Sequence, residues 1–283
     1  MIFTETAQKR GDTERGIMRM MMNGEFKVGL FLSFLIIVMS LVSLFRIPYD
    51  YTRMDPERRF LPPGAGCLLG TDNFGRDVFS RIITGSRYTL ILALCTVAGA
   101  AAAGTILGLF SGYSGGIRDE IIMRIMDALS SFPGILLALV LIALMDNGQF
   151  TLFVALLIMF VPSFTRVMRS GALCYKYADF ILAERLLGAG HLRIIFIHIL
   201  PNMVPSLLSA SVLGLSNAIL AESAMSYLGL GIQPPTPSWG RMLFESQNFL
   251  FTAPWCVLSP GICIMLAVLA FHYLGEGIRR GLG

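Results

Sequence analysis

Tyr88–Phe110 reads YTLILALCTVAGAAAAGTILGLF, a run of 23 residues without one charged side chain. A helix rises 1.5 Å per residue, so about 20 apolar residues span the hydrocarbon core of a bilayer. The run is continuous and does not alternate between apolar and polar residues, which favours a helix over a barrel strand. The stretch therefore predicts a transmembrane helix.

Five further runs share this length, apolar character and lack of charge. They are Val28–Phe45, Ala128–Met145, Phe150–Thr165, Met203–Ala221 and Pro254–Gly275. Phe150–Thr165 is short, and we expect it to extend past Arg166, whose long side chain can reach the interface. Pro133 and Pro162 are expected to bend their helices. The sequence predicts an all-α, polytopic membrane protein with six transmembrane helices.

The composition supports the same class. Hydrophobic residues make up 55% of the 283 and charged residues 14%, whereas soluble domains carry about 25% charged residues. A soluble fold could not cover so much apolar surface. The net charge of +4 is spread along the chain, which argues against a nucleic-acid partner.

The positive-inside rule orients the spans. With the N-terminus in the cytoplasm, 14 of the 22 lysines and arginines lie on the cytoplasmic side. An even number of spans then places both termini in the cytoplasm. The predicted division is a cytoplasmic tail (1–27), a first transmembrane helix (28–45), an extracytoplasmic segment (46–87) and a core transmembrane domain (88–283) with a cytoplasmic loop (170–202).

Several kinds of catalytic and coupling motif are missing. The chain contains no G-x-x-x-x-G-K-[ST], so it has no P-loop for a nucleotide. It contains neither G-x-S-x-G nor H-E-x-x-H, and no span carries paired carboxylates for a proton relay. We therefore expect neither a membrane enzyme nor an autonomous ion-coupled pump.

The 177–202 segment reads as two short helices around a break. Asp179 can cap the first helix, and Gly188–Gly190 can end it because glycine takes the left-handed conformation readily. The second helix is expected to run from His191 to Leu200 and to stop before Pro201. Such an exposed hairpin is suited to docking into a groove on another protein.

This segment resembles the EAA loop of ABC importer permeases, in which E-A-A-x-x-x-G is followed by I-x-L-P. Leu182-Ala183-Glu184 takes the E-A-A positions, Gly188 matches the glycine, and Leu200-Pro201 match the end. Leu182, Glu184 and His198 depart from the pattern. The residues that the resemblance assigns to coupling are Asp179, Ala183, Glu184, Arg185, Gly188, Ala189, Gly190, Leu200 and Pro201.

Two further stretches resemble the second permease of dipeptide, oligopeptide and nickel importers. Leu69–Arg81 is similar to its L-G-T-D-x-x-G-R-D-x-x-S-R signature, and Glu222–Gly240 to its E-x-x-L-S-F-L-G-L-G-x-x-P-P…W-G stretch. The matching residues of the first stretch are Gly70, Thr71, Asp72, Gly75, Arg76, Asp77, Ser80 and Arg81. In the second stretch, Glu222 and Ser226 are candidates for the translocation path.

The resemblance implies the transmembrane domain of a type I ABC importer for peptides or for nickel and other metal chelates. A sister permease would complete a heterodimer, and an extracytoplasmic binding protein would deliver solute. Two ATP-binding subunits would dock on the loop and hold ATP and Mg, so this chain would hold no cofactor or metal and would not be catalytic. The rival interpretation is a secondary transporter or channel that works without an ATPase.

Alternatives stay open at three places. One functional alternative for Asp72, Arg76 and Asp77 is contact with the binding protein or with the sister permease, and the other alternative is a solvated surface. Residues 74–87 are also compatible with an interfacial helix that turns four residues toward lipid: Phe74, Val78, Ile82 and Gly85. Glu222 lines the path, pairs with an arginine, or is exposed at the interface. Gly104 and Gly108 serve either a partner interface or, as we favour, internal packing.

Overall fold

The computed structural model describes residues 23–45, 47–64, 66–145 and 148–282. Arg46 and the predicted tail up to residue 22 lie outside them. Two isolated bridges and no strand occur in this part of the chain. The helices are α1 (Gly24–Phe45), α2 (Val78–Ser114), α3 (Gly116–Ser131), α4 (Gly134–Leu144), α5 (Gln149–Tyr175), α6 (Asp179–Leu186), α7 (His191–Tyr227), α8 (Trp239–Ser246) and α9 (Pro254–Leu282).

Five of these described helices are long and apolar enough to cross a membrane: α1, α2, α5, α7 and α9. The bent pair α3–α4 brings the number to six when it is counted as one broken span. Helix α5 continues through Arg166 to Tyr175, which confirms that its span extends beyond the short apolar run. We call the end of the bundle that carries residues 47–77 the loop end, and the opposite end, which carries residues 176–190, the hairpin end.

The third predicted span, 128–145, is not one continuous helix, and the bend expected at Pro133 is confirmed as a break between two helices. Helix α3 ends at Ser131, α4 begins at Gly134, and the two axes differ by 90°. Pro133 cannot donate a backbone hydrogen bond, and its ring disfavours helical geometry in the residue before it. Phe132 is accordingly extended, with ψ of 138°.

The predicted stop before Pro201 is also wrong, because α7 runs unbroken from His191 to Tyr227. Residues Ile194–Ile199 form a π-helical turn, in which the N–H of Leu200 donates to the carbonyl of Ile195. This change of register lets the proline enter the first turn of the α-helical part that follows. The Asn202 amide donates to the carbonyl of His198 at 2.6 Å.

Helices α2 and α5 cross with almost no space between their backbones. Gly104, Gly108 and Gly112 lie on the contact side of α2, and a Cβ on any of them would come within 2.4–2.7 Å of α5 atoms. For Gly108 the nearest atom is the backbone oxygen of Thr165, at 2.5 Å. Small residues permit such close packing in membranes. Internal packing of Gly104 and Gly108 is therefore confirmed.

We expect Gly108→Ala to destabilise the bundle by about 1–3 kcal/mol, the usual cost of overpacking. The added methyl group would clash with backbone atoms of α5, which cannot rotate away as a flexible side chain can. Thermal unfolding of the purified protein in mild detergent measures the effect. Gly261→Ala in α9 is the matched control, since its Cβ would find its nearest neighbour at 4.0 Å. Equal melting temperatures for the two variants would contradict this account of the crossing.

Candidate functional site

The hairpin, residues 176–200, is shaped by a glycine cap at the end of α6. Gly188 has φ of +81°, and the N–H of Ala189 donates to the carbonyl of Glu184 while that of Gly188 donates to Arg185. These two bonds form a Schellman motif, which confirms that Gly188 ends the helix. Gly190 has φ of −68° and ψ of 154°, a conformation open to any residue, so the turn needs only one glycine.

One side of the hairpin is anchored on the bundle. Ile181, Ile194, Ile195 and Ile199 are buried in a cluster with four residues of α2 and α5: Leu109, Tyr113, Met168 and Ala172. The tip of the hairpin points the other way, with Leu186 and Leu187 exposed by 89% and 82%. The anchored side therefore fixes the position of an apolar tip that the described residues leave uncovered.

The residues that the resemblance assigns to coupling divide between these two sides. Asp179, Ala183, Gly188, Gly190 and Pro201 are exposed. Glu184, Arg185, Ala189 and Leu200 are half-buried. Asp179 lies in the first turn of α6, where its negative charge interacts favourably with the helix dipole. Its side chain makes no capping hydrogen bond, so the predicted cap is wrong.

Two of the three residues that depart from the EAA pattern, Glu184 and His198, lie opposite each other. The Oε2 atom of Glu184 is 3.6 Å from Nε2 of His198, and both side chains are partly buried. This distance is an ionic contact when the imidazole is protonated, and it is too long for a hydrogen bond.

At the loop end, two positive-φ glycines shape the stretch that resembles the peptide-importer signature. Gly70 and Gly75 have φ of 74° and 76°. Between them, Thr71 receives a hydrogen bond from the backbone of Leu61 through its hydroxyl and one from the Trp255 indole through its carbonyl. Asp77 caps α2 by accepting from the N–H of Ser80 at 2.8 Å.

Four charged side chains of this end form a buried cluster, the charge clamp: Asp72, Arg76, Arg81 and Glu245. Asp72 accepts from Nε of Arg76 at 2.7 Å and from Arg81. Both arginines also reach Oε2 of Glu245 in α8, at 2.8 and 2.9 Å. The side chains are only 3–12% exposed. The clamp therefore joins the loop and the start of α2 to the short helix α8.

This burial corrects two expectations. Asp72, Arg76 and Asp77 are not a solvated surface. The expected interfacial helix over 74–87 is also wrong, because Val78 and Ile82 are buried against Met242 and Cys256. No sequence pattern pointed to Glu245, which lies 169 residues from Arg76 along the chain.

The acid predicted for the path, Glu222, is fully buried in the loop-end half of α7. The Ser226 hydroxyl donates to its carboxylate at 2.7 Å, and that of Ser223 lies 3.4 Å away. No described arginine is within ion-pair distance, so both the arginine pairing and the interfacial exposure are wrong. A role of Glu222 and Ser226 in the path stays a prediction.

A cleft that the sequence did not reveal opens between α5 and α7. Its larger part, of about 550 Å³, is lined by Arg166 and Ser170 from α5 and by Ser206 from α7. A second part of about 330 Å³ shares Ser206 and continues to Ser209 and Arg279. These hydroxyl and guanidinium groups lie among apolar side chains, including Val167, Met203 and Leu213, along a continuous opening toward the hairpin end.

Comparisons with known proteins agree with this architecture. The family described as binding-protein-dependent transport system inner membrane component matches residues 104–282. The chain belongs to this family of ABC importer permeases.

Two curated permeases are similar over most of their length. The dipeptide transport system permease protein DppC of Alkalihalophilus pseudofirmus is 40% identical over 255 residues, which cover 90% of this chain and 84% of the relative. The glutathione transport system permease protein GsiD of Pectobacterium atrosepticum has the same identity and coverage. The permease is thus similar to both relatives along nearly its whole length.

The fold also matches a solved structure, an inward-facing conformation of the MetNI methionine ABC transporter. The TM-score is 0.59 at 19% identity, over 71% of the permease and 96% of the matched chain. Together with the family match, this similarity confirms the predicted fold. It is evidence for the fold alone.

The charge clamp predicts how the stability of the permease depends on pH. Burial alone would raise the pKa of Glu245, but the positive charges of Arg81 and Arg76 and hydrogen bonds from Arg81 and Arg241 outweigh it, so this pKa lies below its ordinary value of 4.5. The stabilisation is therefore fully present above pH 4.5 and is lost as the pH falls through the lowered pKa.

We expect Glu245→Gln to cost roughly 3–5 kcal/mol near neutral pH, because it leaves two buried arginines with half of their counter-charge. Melting temperatures in detergent between pH 7 and pH 4 measure the effect. The difference in melting temperature between the variant and the wild type should become smaller below pH 4.5. Glu120→Gln, which breaks an exposed pair with Arg124, is the control and should change little. A gap that stays constant with pH would contradict the role of the carboxylate charge.

Proposed function

We propose that the permease carries peptides across the cell membrane as one half of the pathway of an ATP-driven importer. The observation that supports this substrate class is the 40% identity over 90% of the chain to permeases named for dipeptide and glutathione transport. A further relative at 37% identity, from Pseudomonas aeruginosa, is named for di- and tripeptides. These names favour peptides over nickel or other metal chelates.

Two ATP-binding subunits are the proposed partners of the hairpin, and they would hold ATP and Mg. The tip offers two almost fully exposed leucines, Leu186 and Leu187, on a base that is fixed to α2 and α5. Movement of an attached ATPase would therefore reach both walls of the cleft, since α5 forms one wall and α7 continues directly from the hairpin. This continuity supports the hairpin as the coupling element.

The hairpin end is proposed to face the cytoplasm, with both termini on that side. The distribution of lysine and arginine supports this orientation. The loop end would then face outward, and the rigid surface around the charge clamp would contact a solute-binding protein or the sister permease of the heterodimer. The cleft between α5 and α7 would become a passage when the sister permease closes its open side.

Reconstitution separates this proposal from a transporter that works alone. Proteoliposomes that contain the permease, its sister, both ATP-binding subunits and the binding protein should accumulate a labelled dipeptide only when ATP and Mg are present. Equal uptake without the ATP-binding subunits would overturn the proposal in favour of a secondary transporter or channel. Uptake of a nickel chelate but not of peptides would overturn the substrate class.

The exposed tip of the hairpin provides a second test. We expect Leu186→Asp combined with Leu187→Asp to abolish uptake and to weaken binding of the ATP-binding subunits at least 30-fold, since hot-spot residues typically contribute about 2 kcal/mol or more. Co-purification and pull-down titrations measure the binding.

The control for that test is Leu144→Ser, at an equally exposed leucine at the end of α4. It should leave binding of the ATP-binding subunits unchanged. If the double variant retained the subunits and its uptake, the hairpin tip would not be the docking site.

A further inference from the structure

A cavity of about 430 Å³ lies at the hairpin end, apart from the cleft between α5 and α7. Four basic side chains line it, each from a different segment: Arg118 of α3, Lys176 after α5, Arg185 of α6 and His191 of α7. None of the four forms an ion pair with a described carboxylate. The cavity is therefore strongly electropositive.

Tyr113, near the end of α2, contacts two of these four side chains. Its hydroxyl is 3.1 Å from Nδ1 of His191, and the guanidinium of Arg185 lies 5.2 Å from the centre of its ring. The Nε atom of Arg185 is buried and has no hydrogen-bond partner. The contact with Tyr113 therefore holds the Arg185 side chain in place at the wall of the cavity.

The nearest acid does not neutralise the cavity. Asp119 is close enough for Lys176 to influence it, but both of its carboxylate oxygens are bound to Arg169, at 2.6 and 2.7 Å. Glu184, the acid of the hairpin, lies next to His198 instead. Helix α3 also begins at Gly116 without a side-chain cap, so its first N–H groups add positive potential near Arg118.

An apolar groove of about 340 Å³ continues from the basic cavity. The two share Phe110, Ser114 and Arg118, and the groove adds Ile121 and Ile122. Phe110 and Ser114 belong to the last turns of the span α2, and Lys176 directly follows the span α5. The basic cavity therefore lies beside the hairpin-end termini of two candidate spans, and the groove extends from it along the side of α3.

We propose that this composite site binds one anionic phospholipid, with its phosphate among Arg118, Lys176, Arg185 and His191 and an acyl chain in the groove. A charged pocket joined to an apolar groove at the membrane interface fits an amphiphilic anion better than a soluble one. Bound there, the lipid bridges the ends of α2 and α3 to α6 and so fixes the hairpin against the bundle. This inference does not depend on the peptide substrate, because its test measures lipid binding alone.

The test uses the full-length permease in mild detergent, titrated with phosphatidylglycerol, with phosphatidylcholine of the same acyl chains, and with glycerol 1-phosphate. Native mass spectrometry reports the stoichiometry and affinity. We expect one phosphatidylglycerol to bind at least 10-fold more tightly than phosphatidylcholine, and glycerol 1-phosphate to compete only weakly. Equal binding of the two lipids, or binding of glycerol 1-phosphate as tight as that of the lipid, would overturn the proposal.

The variant Arg118→Gln with Lys176→Gln should weaken phosphatidylglycerol binding at least 10-fold, to the level of phosphatidylcholine. The matched control, Arg124→Gln with Arg193→Gln, removes two exposed charges at the same end but outside the cavity, and should bind as the wild type does. Lys176→Gln alone gives a milder variant, with an expected loss of about threefold, if the double variant is unstable. Unchanged lipid binding with loss of the ATP-binding subunits would overturn the proposal and assign the cations to an acidic group of that partner.

Discussion

The close crossing of α2 and α5 is the contact on which the rest of the permease depends. In a bilayer, lipid is as apolar as the helices, so association relies on tight packing of small residues. Gly104, Gly108 and Gly112 bring the two backbones together. Below this crossing, the same two helices supply the base of the hairpin through Tyr113 and Met168. The crossing thus fixes one wall of the cleft and the position of the coupling element with a single set of contacts.

The sequence predicted the helical class and five unbroken spans because a run of apolar residues is a local signal that a bilayer makes decisive. At the prolines it was right in part, since the bend at Pro133 is present and the stop before Pro201 is not. Pro133 ends a helix where an extended residue precedes it, while Pro201 is accommodated by a π-helical turn. The residue type is the same in both cases, and the surrounding packing decides whether the chain breaks or shifts its register.

The functional residues divide in a similar way. Gly188 was predictable, since its role in the cap follows from its own backbone freedom. Glu245 was not, because its importance comes from Arg76 and Arg81, which are remote in the chain. The serines of the cleft carry no motif, and only the pairing of α5 with α7 brings Ser170 and Ser206 to one opening. Glu184 and His198 look like two separate departures in the sequence, and in three dimensions they form one contact.

The charge clamp also has a consequence for the synthesis of the protein. Arg81 and Glu245 are separated by 164 residues, and ribosomes add about 5–20 residues per second. Roughly ten to thirty seconds therefore pass between the synthesis of Arg81 and that of Glu245 in α8. During that time the charge of Arg81 favours water over the membrane interior. The charge clamp cannot close until the rest of α2 and three further spans have been synthesised, so it forms late, when α9 is the one span still to be made.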